Sequence, residues 1–452
     1  MIDILPLELI YYICSFLPVP DISTFRLLNK ACAKVGERNL VENLHVMFNA
    51  KSLQNLLHIS RHPSLCRYVS SILYEVRYLE DVESQEYESN ILDNDGLEEE
   101  STWSSDAGSG DSKERIARGW KAYKPMLEEQ LYMKKISYDF SVFTQALARF
   151  PVLKKLEMCS EYGMPSETLA RAYENTLAVP GLMLDGGEIS DYEEQTGTRA
   201  LGSLLLAAAA IPSRLETLIA HRIHWSFFNP APLADLHLPA FAQLRHLDLA
   251  LEPDYDDFDE QDVVKKRHEE LGRILRSMMG LESLRLCFDD VDTHPNAVLI
   301  QRQMNVPVVW ERIIEGMTWP RLRILELKVF TTSENHITNF LKRHTDTLRV
   351  IKWHNVWLND SAFGWNRIFK KMKKYMKLEE VELRGIWGGD CTHGRPKLLK
   401  MEGETAIRLE RSILRGPSEK KEKNPNNKAN MAVEPPVKLD TLMFEFVDYE
   451  LY

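Results

Sequence analysis

The sequence predicts an α/β fold in which short N-terminal helices precede a long, irregular solenoid of parallel strands and helices. Two observations carry this prediction. A six-residue pattern, Leu-x-x-Φ-x-Φ with Φ mostly apolar, recurs eight times along the body of the 452-residue chain. Stretches with helical apolar spacing precede several copies, so each copy is expected to form a strand that a helix covers.

The first thirty residues predict two short amphipathic helices. Pro6 favours a helix start, because its missing N–H would be unpaired there anyway, and Leu9 and Ile13 belong to an apolar stripe at helical spacing. Pro18 ends this helix, and Asp21 is a suitable N-cap for the next one. The apolar residues outnumber what so small a unit can bury alone, which predicts a partner that covers them.

The repeated pattern is irregularly spaced. Its eight copies begin at Leu153, Leu215, Leu244, Leu281, Leu322, Leu348, Leu378 and Leu439. Helix-like stretches precede strands at residues 140–150, 268–279, 310–317, 337–343 and 365–376. Regular leucine-rich repeats run about 20–29 residues, so the longer gaps here predict a leucine-rich-repeat-like array with insertions. The two longest gaps are each expected to hide a degenerate unit, with residues 177–184 as one candidate.

The competing fold is an ordinary doubly wound α/β domain. Such a domain normally carries a Gly-rich turn between a strand and a helix, where a phosphate binds. The sequence has neither a G-x-G-x-x-G motif nor a Walker loop. The solenoid is therefore the preferred interpretation.

The N-terminal segment resembles the F-box. The resemblance rests on the string Leu5-Pro6-x-Glu8-Leu9, on Ile13 and Leu17, and on Asp21-Ile22 with Phe25-Arg26-x-Leu28-Asn29-Lys30. It implies docking onto the Skp-type adaptor of an SCF ubiquitin ligase, and through that adaptor an association with cullin and RING subunits. It assigns adaptor contacts to Leu5, Pro6, Leu9, Ile10, Ile13, Leu17, Ile22 and Leu28.

An F-box followed by such repeats is similar to the arrangement in many proteins of filamentous fungi. The resemblance implies a non-catalytic substrate-recognition subunit, which raises the concentration of a protein substrate near the ubiquitin-conjugating enzyme. Three alternatives stay open at this point. They are an F-box scaffold outside a ligase, a repeat protein with no role in ubiquitination, and a hydrolase with an unrecognised site.

Composition divides the chain into four predicted segments. They are an F-box in residues 1–45, a helical linker in 46–74, an acidic disordered loop in 75–113, and a leucine-rich-repeat-like substrate-binding domain in 114–452. The acidic segment is rich in Glu, Asp and Ser and lacks periodicity. Residues 415–437 are rich in Lys, Asn and Pro, which predicts a flexible insertion within the last domain.

Strand residues that flank the central Φ position are expected to point outward from the sheet. Their mixed charge suits a protein surface better than a partner of uniform sign. The candidate substrate contacts are His246, Asp248, Arg285, Glu326, Lys352, His354, Trp357 and Glu382. The alternative for each is an ordinary solvated strand position.

A basic run lies late in the chain. It consists of Arg367, Lys370, Lys371, Lys373, Lys374 and Lys377. On a helix these side chains spread around much of the circumference, with Phe369, Met372 and Met376 on the buried side. The run is predicted to be a solvated outer helix face, and contact with an acidic partner is the alternative.

Composition and motifs argue against several other functions. The net charge of −11 and the pI of about 5.7 disfavour a nucleic-acid partner, and no apolar run of about 20 residues predicts a membrane span. Six scattered cysteines without a Cys-x-x-Cys pair suit a reducing compartment, either the cytoplasm or the nucleus. Catalytic and metal-binding motifs are missing too, so no catalytic residue, cofactor or metal is predicted.

Overall fold

The computed structural model describes residues 5–76, 79, 109–159, 197–211, 215–229, 234–252, 261–288, 309–359, 364–389, 397–401, 403–414 and 446–447. In this part of the chain there are thirteen α-helices and eleven β-strands. The chain divides into two compact units, the first built from residues 1–215 and 219–223 and the second from residues 216–218 and 224–452.

The first unit begins with three helices and continues as alternating strands and helices. Its elements are α1 (Leu7–Cys14), α2 (Val19–Phe25), α3 (Lys30–Val41), β1 (Asn43–Met47), α4 (Ala50–Arg61), β2 (Ser71–Glu75), α5 (Ser109–Lys135), α6 (Tyr138–Leu147), β3 (Lys155–Cys159) and α7 (Thr198–Ala209). Strands β1, β2 and β3 pair in parallel and in chain order. Strand β4 (Thr217–His224) contains residues of both units.

The second unit repeats the alternation of strand and helix. Its elements are α8 (Ala234–Phe241), β5 (His246–Glu252), α9 (Gln261–Ser277), β6 (Ser283–Cys287), α10 (Trp310–Ile314), β7 (Ile324–Thr332), α11 (Glu334–Arg343), β8 (Val350–Leu358), α12 (Gly364–Tyr375), β9 (Glu380–Gly389), β10 (Lys397–Met401), α13 (Gly403–Leu414) and β11 (Phe446–Val447). Strands β5 to β9 pair in parallel and in chain order.

The repeated pattern marks the strands. Seven of its eight copies fall on described residues, and in each copy a strand begins two residues after the first leucine, as at Leu244 and β5. These leucines are buried, except that Leu378 is half-buried. The two Φ positions are buried on the same side, as Leu247 and Leu249 are. The prediction of an α/β fold with parallel strands is confirmed, while the copy at Leu439 lies outside the described residues.

The segment 46–74 differs from the predicted helical linker. It contains α4, but it also carries the end of β1 and most of β2, which pair with each other. The pattern that marks the other strands is present here with valine in place of the first leucine, since Val41 precedes Leu44 and Val69 precedes Ile72 at the same spacing. All four side chains are buried. A search that accepted valine as the anchor would have found both strands.

Two other predicted segments are only partly described. Helix α5 begins at Ser109, inside the segment 75–113 that was predicted to be a disordered loop, whereas residues 80–108 lie outside the described part. The candidate unit at 177–184 and the insertion at 415–437 also lie outside it. The gap before Leu439 does contain a strand and a helix, β10 and α13.

Two strands depart from the parallel arrangement. β10 pairs antiparallel with the end of β9, and β11 pairs antiparallel with β10. Beside the middle of β9, helix α13 supplies a carboxylate: Glu410 Oε1 accepts hydrogen bonds from the Leu383 backbone N–H at 2.8 Å and from Arg384 at 2.7 Å. This carboxylate satisfies a backbone donor at the point where a helix takes the place of a neighbouring strand.

Three neighbouring strands share a left-handed residue at one register. Val329 (φ 55°), Asn355 (φ 53°) and Gly385 (φ 80°) each lie seven residues after the first leucine of their copy of the pattern. Glycine suits Gly385, because an added Cβ would lie 2.0 Å from Asn355 Oδ1. A β-branched residue at positive φ is strained. Val329 is therefore the residue of this row whose backbone conformation is strained.

Replacing Val329 with asparagine is expected to raise the free energy of unfolding by about 1 kcal/mol, because asparagine tolerates the left-handed conformation better than valine. Urea unfolding of both proteins measures the change. The control is Val350→Asn, which removes a half-buried valine from β8 and should lower stability. A less stable Val329→Asn protein would show that side-chain contacts of Val329 outweigh the backbone strain.

Candidate partner-binding site

The first three helices form a small module with its own core. Helices α1, α2 and α3, called here the N-terminal module, bury one apolar cluster. It consists of Ile10, Cys14, Ile22, Phe25, Cys32 and Val35. Pro6 and Pro18 precede α1 and α2, and the Asn29 side chain caps α3 by accepting a hydrogen bond from the Cys32 N–H at 2.7 Å. These local signals determine where each helix begins.

Large apolar side chains remain exposed on the opposite side of α1. They are Leu9, Tyr12, Ile13 and Phe16, with exposed fractions of 49%, 63%, 41% and 70%. We call these four residues the outer face of α1. At about 3.6 residues per turn, Leu9, Tyr12 and Ile13 lie within an arc of roughly 100° on α1. Phe16 lies in the turn that follows the helix. The rings of Tyr12 and Phe16 meet edge to face, with centroids 4.8 Å apart.

Helix α1 is apolar around nearly its whole circumference. Ile10 and Cys14 face the core, whereas Leu7 and Tyr11 line a groove of about 340 Å³ beside α3. A helix that is apolar all round is normally buried on every side. The outer face is therefore an apolar surface that is left uncovered in the described structure.

The groove side of α1 is held by a polar network. The Tyr11 hydroxyl donates to Glu42 Oε2 at 2.9 Å, and Arg38 donates to Glu42 Oε1 at 3.0 Å. The Arg38 guanidinium also lies 4.7 Å from the centroid of the Tyr11 ring. The hydrogen bond to Glu42 raises the pKa of Tyr11 above its ordinary value. These contacts attach α1 to the end of α3. They involve no residue of the outer face.

The predicted adaptor contacts divide into two groups. Pro6, Leu9, Ile13 and Leu28 are exposed, and Leu5 and Leu17 are partly exposed. Ile10 and Ile22 are only 1% and 4% exposed, so assigning them contact with a partner was wrong. Both pack inside the module and stabilise its fold.

Three exposed residues were missing from that prediction. They are Tyr12, Phe16 and Leu27, which is 85% exposed beside Leu28. Helical phase was the available signal, because Leu9, Tyr12, Ile13 and Phe16 repeat at spacings of three and four residues. That stripe is distinct from the stripe of Ile10 and Cys14.

The second candidate surface is a row of charges across five parallel strands. Asp248, Arg285, Glu326, Lys352 and Glu382 are aligned with one another from β5 to β9. We call this row the charge ladder. Arg285 lies 3.1 Å from Asp248 Oδ2 and 3.0 Å from Glu326 Oε1. Burial acts to lower the pKa of Arg285, but the two carboxylates raise it above its ordinary value.

The next cation in the ladder is also paired. Lys352 Nζ lies 2.7 Å from Glu380 Oε1 and 3.8 Å from Glu382 Oε2, and the contact with Glu380 raises its pKa. His354 Nε2 lies 3.6 Å from Glu382 Oε1, one row further along the strands. The side chains of the ladder therefore hold one another in place, and a charged partner must compete with these ion pairs.

The structure brings most of the predicted substrate contacts together. Asp248, Arg285, Glu326, Lys352 and Glu382 form the ladder, while His246 and His354 lie in the rows on either side of it. Trp357 is different. It is only 5% exposed, and its ring packs so closely over Gly388 that an added Cβ there would lie 2.2 Å away. The assignment of Trp357 to a binding surface was wrong, because this indole fills the core.

The described part of the chain has neither a candidate metal site nor a candidate membrane-spanning helix. No group of three or more His, Cys, Asp or Glu side chains there is arranged to hold a metal ion. Among the same residues, no helix combines the length and the apolar character needed to cross a membrane. In comparisons with known proteins, no protein-family model and no curated protein matches the chain.

Proposed function

We propose that this protein is the substrate-recognition subunit of an SCF-type ubiquitin ligase. In this proposal the N-terminal module is an F-box that binds a Skp-type adaptor, and the strand-and-helix body is a leucine-rich-repeat-like solenoid that binds a protein substrate. The observation that carries the proposal is the outer face of α1, where four large apolar side chains stay exposed on a module that already has its own core.

Burial of the outer face would supply enough free energy for a specific complex. Fully burying a large apolar side chain contributes roughly 1.5–3 kcal/mol. Burial of the four side chains of the outer face would therefore offset much of an association cost of about 4–15 kcal/mol. Leu27 and Leu28, both exposed after α2, add apolar area on the same module. Exposed apolar groups of this size are typical of protein–protein interfaces.

The body of the chain supports the second half of the proposal. Parallel strands in chain order, each marked by the same pattern, are typical of repeat proteins that present one long surface. The charge ladder lies on that surface. A receptor of this kind contributes binding, while the adaptor-linked cullin and RING subunits bring the ubiquitin-conjugating enzyme. The receptor would work in the cytoplasm or nucleus and would itself need no catalytic group or cofactor.

Co-purification with a purified Skp-type adaptor tests the proposal. The Leu9→Asp, Ile13→Asp double variant should lose the complex, because each buried carboxylate would cost several kcal/mol. Both side chains are exposed in the free protein, so the module should still fold. The matched control is Leu236→Asp with Met279→Asp, which places two carboxylates at exposed apolar positions in the second unit. The wild type and the control should both bind.

Other outcomes would contradict the proposal or narrow it. If the wild type fails to bind the adaptor, the N-terminal module is only a cap on the repeats and the ubiquitin hypothesis is wrong. Equal binding by the double variant would show that α1 is not the contact. Cullin co-purification through the bound adaptor then separates a ligase receptor from a scaffold that works outside the ligase.

A further inference from the structure

One arginine of the N-terminal module has no acceptor for its guanidinium. Arg26 follows α2 as the C-cap residue and is half-buried. Its Nε atom is buried, and no hydrogen bond or ion pair joins its guanidinium to another residue in the described part of the chain. A buried donor without an acceptor is uncommon in folded proteins, and here the donor belongs to a charged group. Arg26 therefore remains available to an acceptor from a partner.

Helix α3 holds the aliphatic part of Arg26 in place. Gly36 lies in the middle of this helix, and an added Cβ there would lie 2.3 Å from Arg26 Cγ and 3.0 Å from Arg26 Cδ. Glycine inside a helix is destabilising relative to alanine, but here it leaves the space that the stem of Arg26 fills. The position of the guanidinium is therefore restricted before any partner binds.

The carboxylates at the C-terminal end of α3 are engaged elsewhere. Glu37 Oε1 accepts a hydrogen bond from the Ser64 hydroxyl at 2.7 Å, and Glu42 belongs to the polar network that attaches α1 to α3. The dipole of α2 favours a cation at its C-terminal end. This accounts for the positive charge of Arg26, but it leaves the N–H groups of the guanidinium without an acceptor.

Arg26 lies at the border of exposed apolar surface. The next two residues, Leu27 and Leu28, are 85% and 57% exposed, and they belong to the apolar area of the proposed adaptor contact. Lys30, at the start of α3, is exposed and forms no ion pair within the described residues. A cation thus lies on each side of the two leucines in the sequence. Arginine beside apolar side chains is typical of protein–protein interfaces.

We propose that Arg26 is a specificity-determining residue of the adaptor-binding surface, and that its guanidinium binds a carboxylate of the adaptor. This inference rests on the proposed function. A carboxylate can accept two parallel N–H bonds from one guanidinium, a geometry that a lysine ammonium does not reproduce. The pairing compensates a cation whose position the module already restricts. It favours an adaptor with an acidic residue at this point over one without it.

Isothermal titration calorimetry of a purified Skp-type adaptor with the full-length protein tests the inference. Arg26→Met keeps an apolar stem over Gly36 and removes the charge, so it should fold and bind the adaptor about tenfold more weakly at 150 mM NaCl. Arg26→Lys keeps the charge without the planar fork and should bind with intermediate affinity. The matched control is Arg149→Met, which removes an exposed arginine of the first unit and should bind like the wild type.

The salt dependence of binding separates an ion pair from a packing role. The difference in affinity between the wild type and Arg26→Met should shrink from 50 to 500 mM NaCl, because salt screens the charge pair. Packing alone would give the same difference at every salt concentration and no advantage of lysine over methionine. Thermal unfolding checks that each variant is folded. If Arg26→Met is not, Arg26→Gln is the neutral variant, with the same expected loss of affinity.

Three results would overturn the inference. If Arg26→Met binds as tightly as the wild type while the Leu9→Asp, Ile13→Asp variant loses the complex, this inference alone is wrong and adaptor binding stands. An affinity difference that is independent of salt would assign Arg26 to packing. Absence of adaptor binding by the wild type would overturn both proposals together.

Discussion

Replacing Arg199 with methionine is expected to lower the free energy of unfolding of the first unit by about 3–5 kcal/mol, because it leaves a buried carboxylate without its cation. The carboxylate is Asp139 on α6, whose exposure is 0%. Arg199 of α7 donates to both of its oxygens, at 3.1 and 2.8 Å, and the Tyr74 hydroxyl of β2 donates at 3.0 Å. The Asp139 carboxylate thus connects two helices by an ion pair and a strand by a hydrogen bond.

Urea unfolding of the wild type and variants measures this cost. The control is Lys155→Met, which breaks the partly exposed pair between Lys155 and Glu157 and should cost less than about 1 kcal/mol. Replacing Asp139 with leucine in the Arg199→Met background should recover part of the loss, since no charge is then left buried. An Arg199→Met protein as stable as the Lys155→Met control would show that water reaches Asp139.

The strands were predictable because their signal is local. A leucine at the start and two apolar positions at a spacing of two specify which side of each strand is buried, as in Leu244, Leu247 and Leu249. The ion pair of Asp139 and Arg199 has no such signal. Its residues are 60 apart in the chain, and only tertiary packing brings their helices together. Buried polar pairs of this kind are beyond what spacing alone can predict.

The candidate site was predictable as a segment but not residue by residue. Pro6 and Pro18 indicate where α1 and α2 begin, so these two helices follow from sequence, whereas α3 and its Asn29 cap were not predicted. Which stripe of α1 faces inward does not, because Ile10 and Leu9 are equally apolar and adjacent. Packing against α3 decides this by burying Ile10 and Cys14. Trp357 was misassigned for the same reason, since an indole suits a core and an interface equally well.

Two buried histidines of the second unit should make its stability depend on pH. His268 Nδ1 lies 2.7 Å from the Val264 carbonyl oxygen, and its Nε2 accepts from the Val309 N–H at 3.3 Å. A carbonyl only accepts and a backbone N–H only donates, so the imidazole must be neutral, with its proton on Nδ1. Burial, together with the charge of Arg312, lowers the pKa of His268 to about 4.

His344, directly after α11, has the same arrangement. Its Nδ1 lies 2.9 Å from the Phe340 carbonyl oxygen, and its Nε2 accepts from the Trp319 N–H at 3.0 Å. Its exposure is 0%, and burial lowers its pKa below the ordinary value. Protonation of either ring would place a second N–H against a backbone donor. Both histidines therefore favour the folded state only while they are neutral.

The free energy of unfolding of the second unit should fall as pH is lowered from about 6.5 towards 4. In this range the unfolded chain, whose histidines have pKa values of about 6.5, binds protons that the folded chain does not. The contribution of His268 is complete above pH 6.5 and is lost as pH falls towards its folded pKa of about 4. Protonation of His268 is expected to lower the free energy of unfolding by roughly 3 kcal/mol, and protonation of His344 acts in the same direction.

Urea unfolding at pH 7.0, 6.0 and 5.0 measures the dependence. His268→Leu should be less stable than the wild type at pH 7.0, because the Val309 N–H loses its acceptor, yet its stability should change less with pH. The matched control is His58→Gln, which removes an exposed histidine of the first unit. It should leave the pH dependence of the free energy of unfolding of the second unit unchanged. If the stability of His268→Leu depends on pH as strongly as that of the wild type, other groups control the acid sensitivity and His268 is not buried in its neutral form.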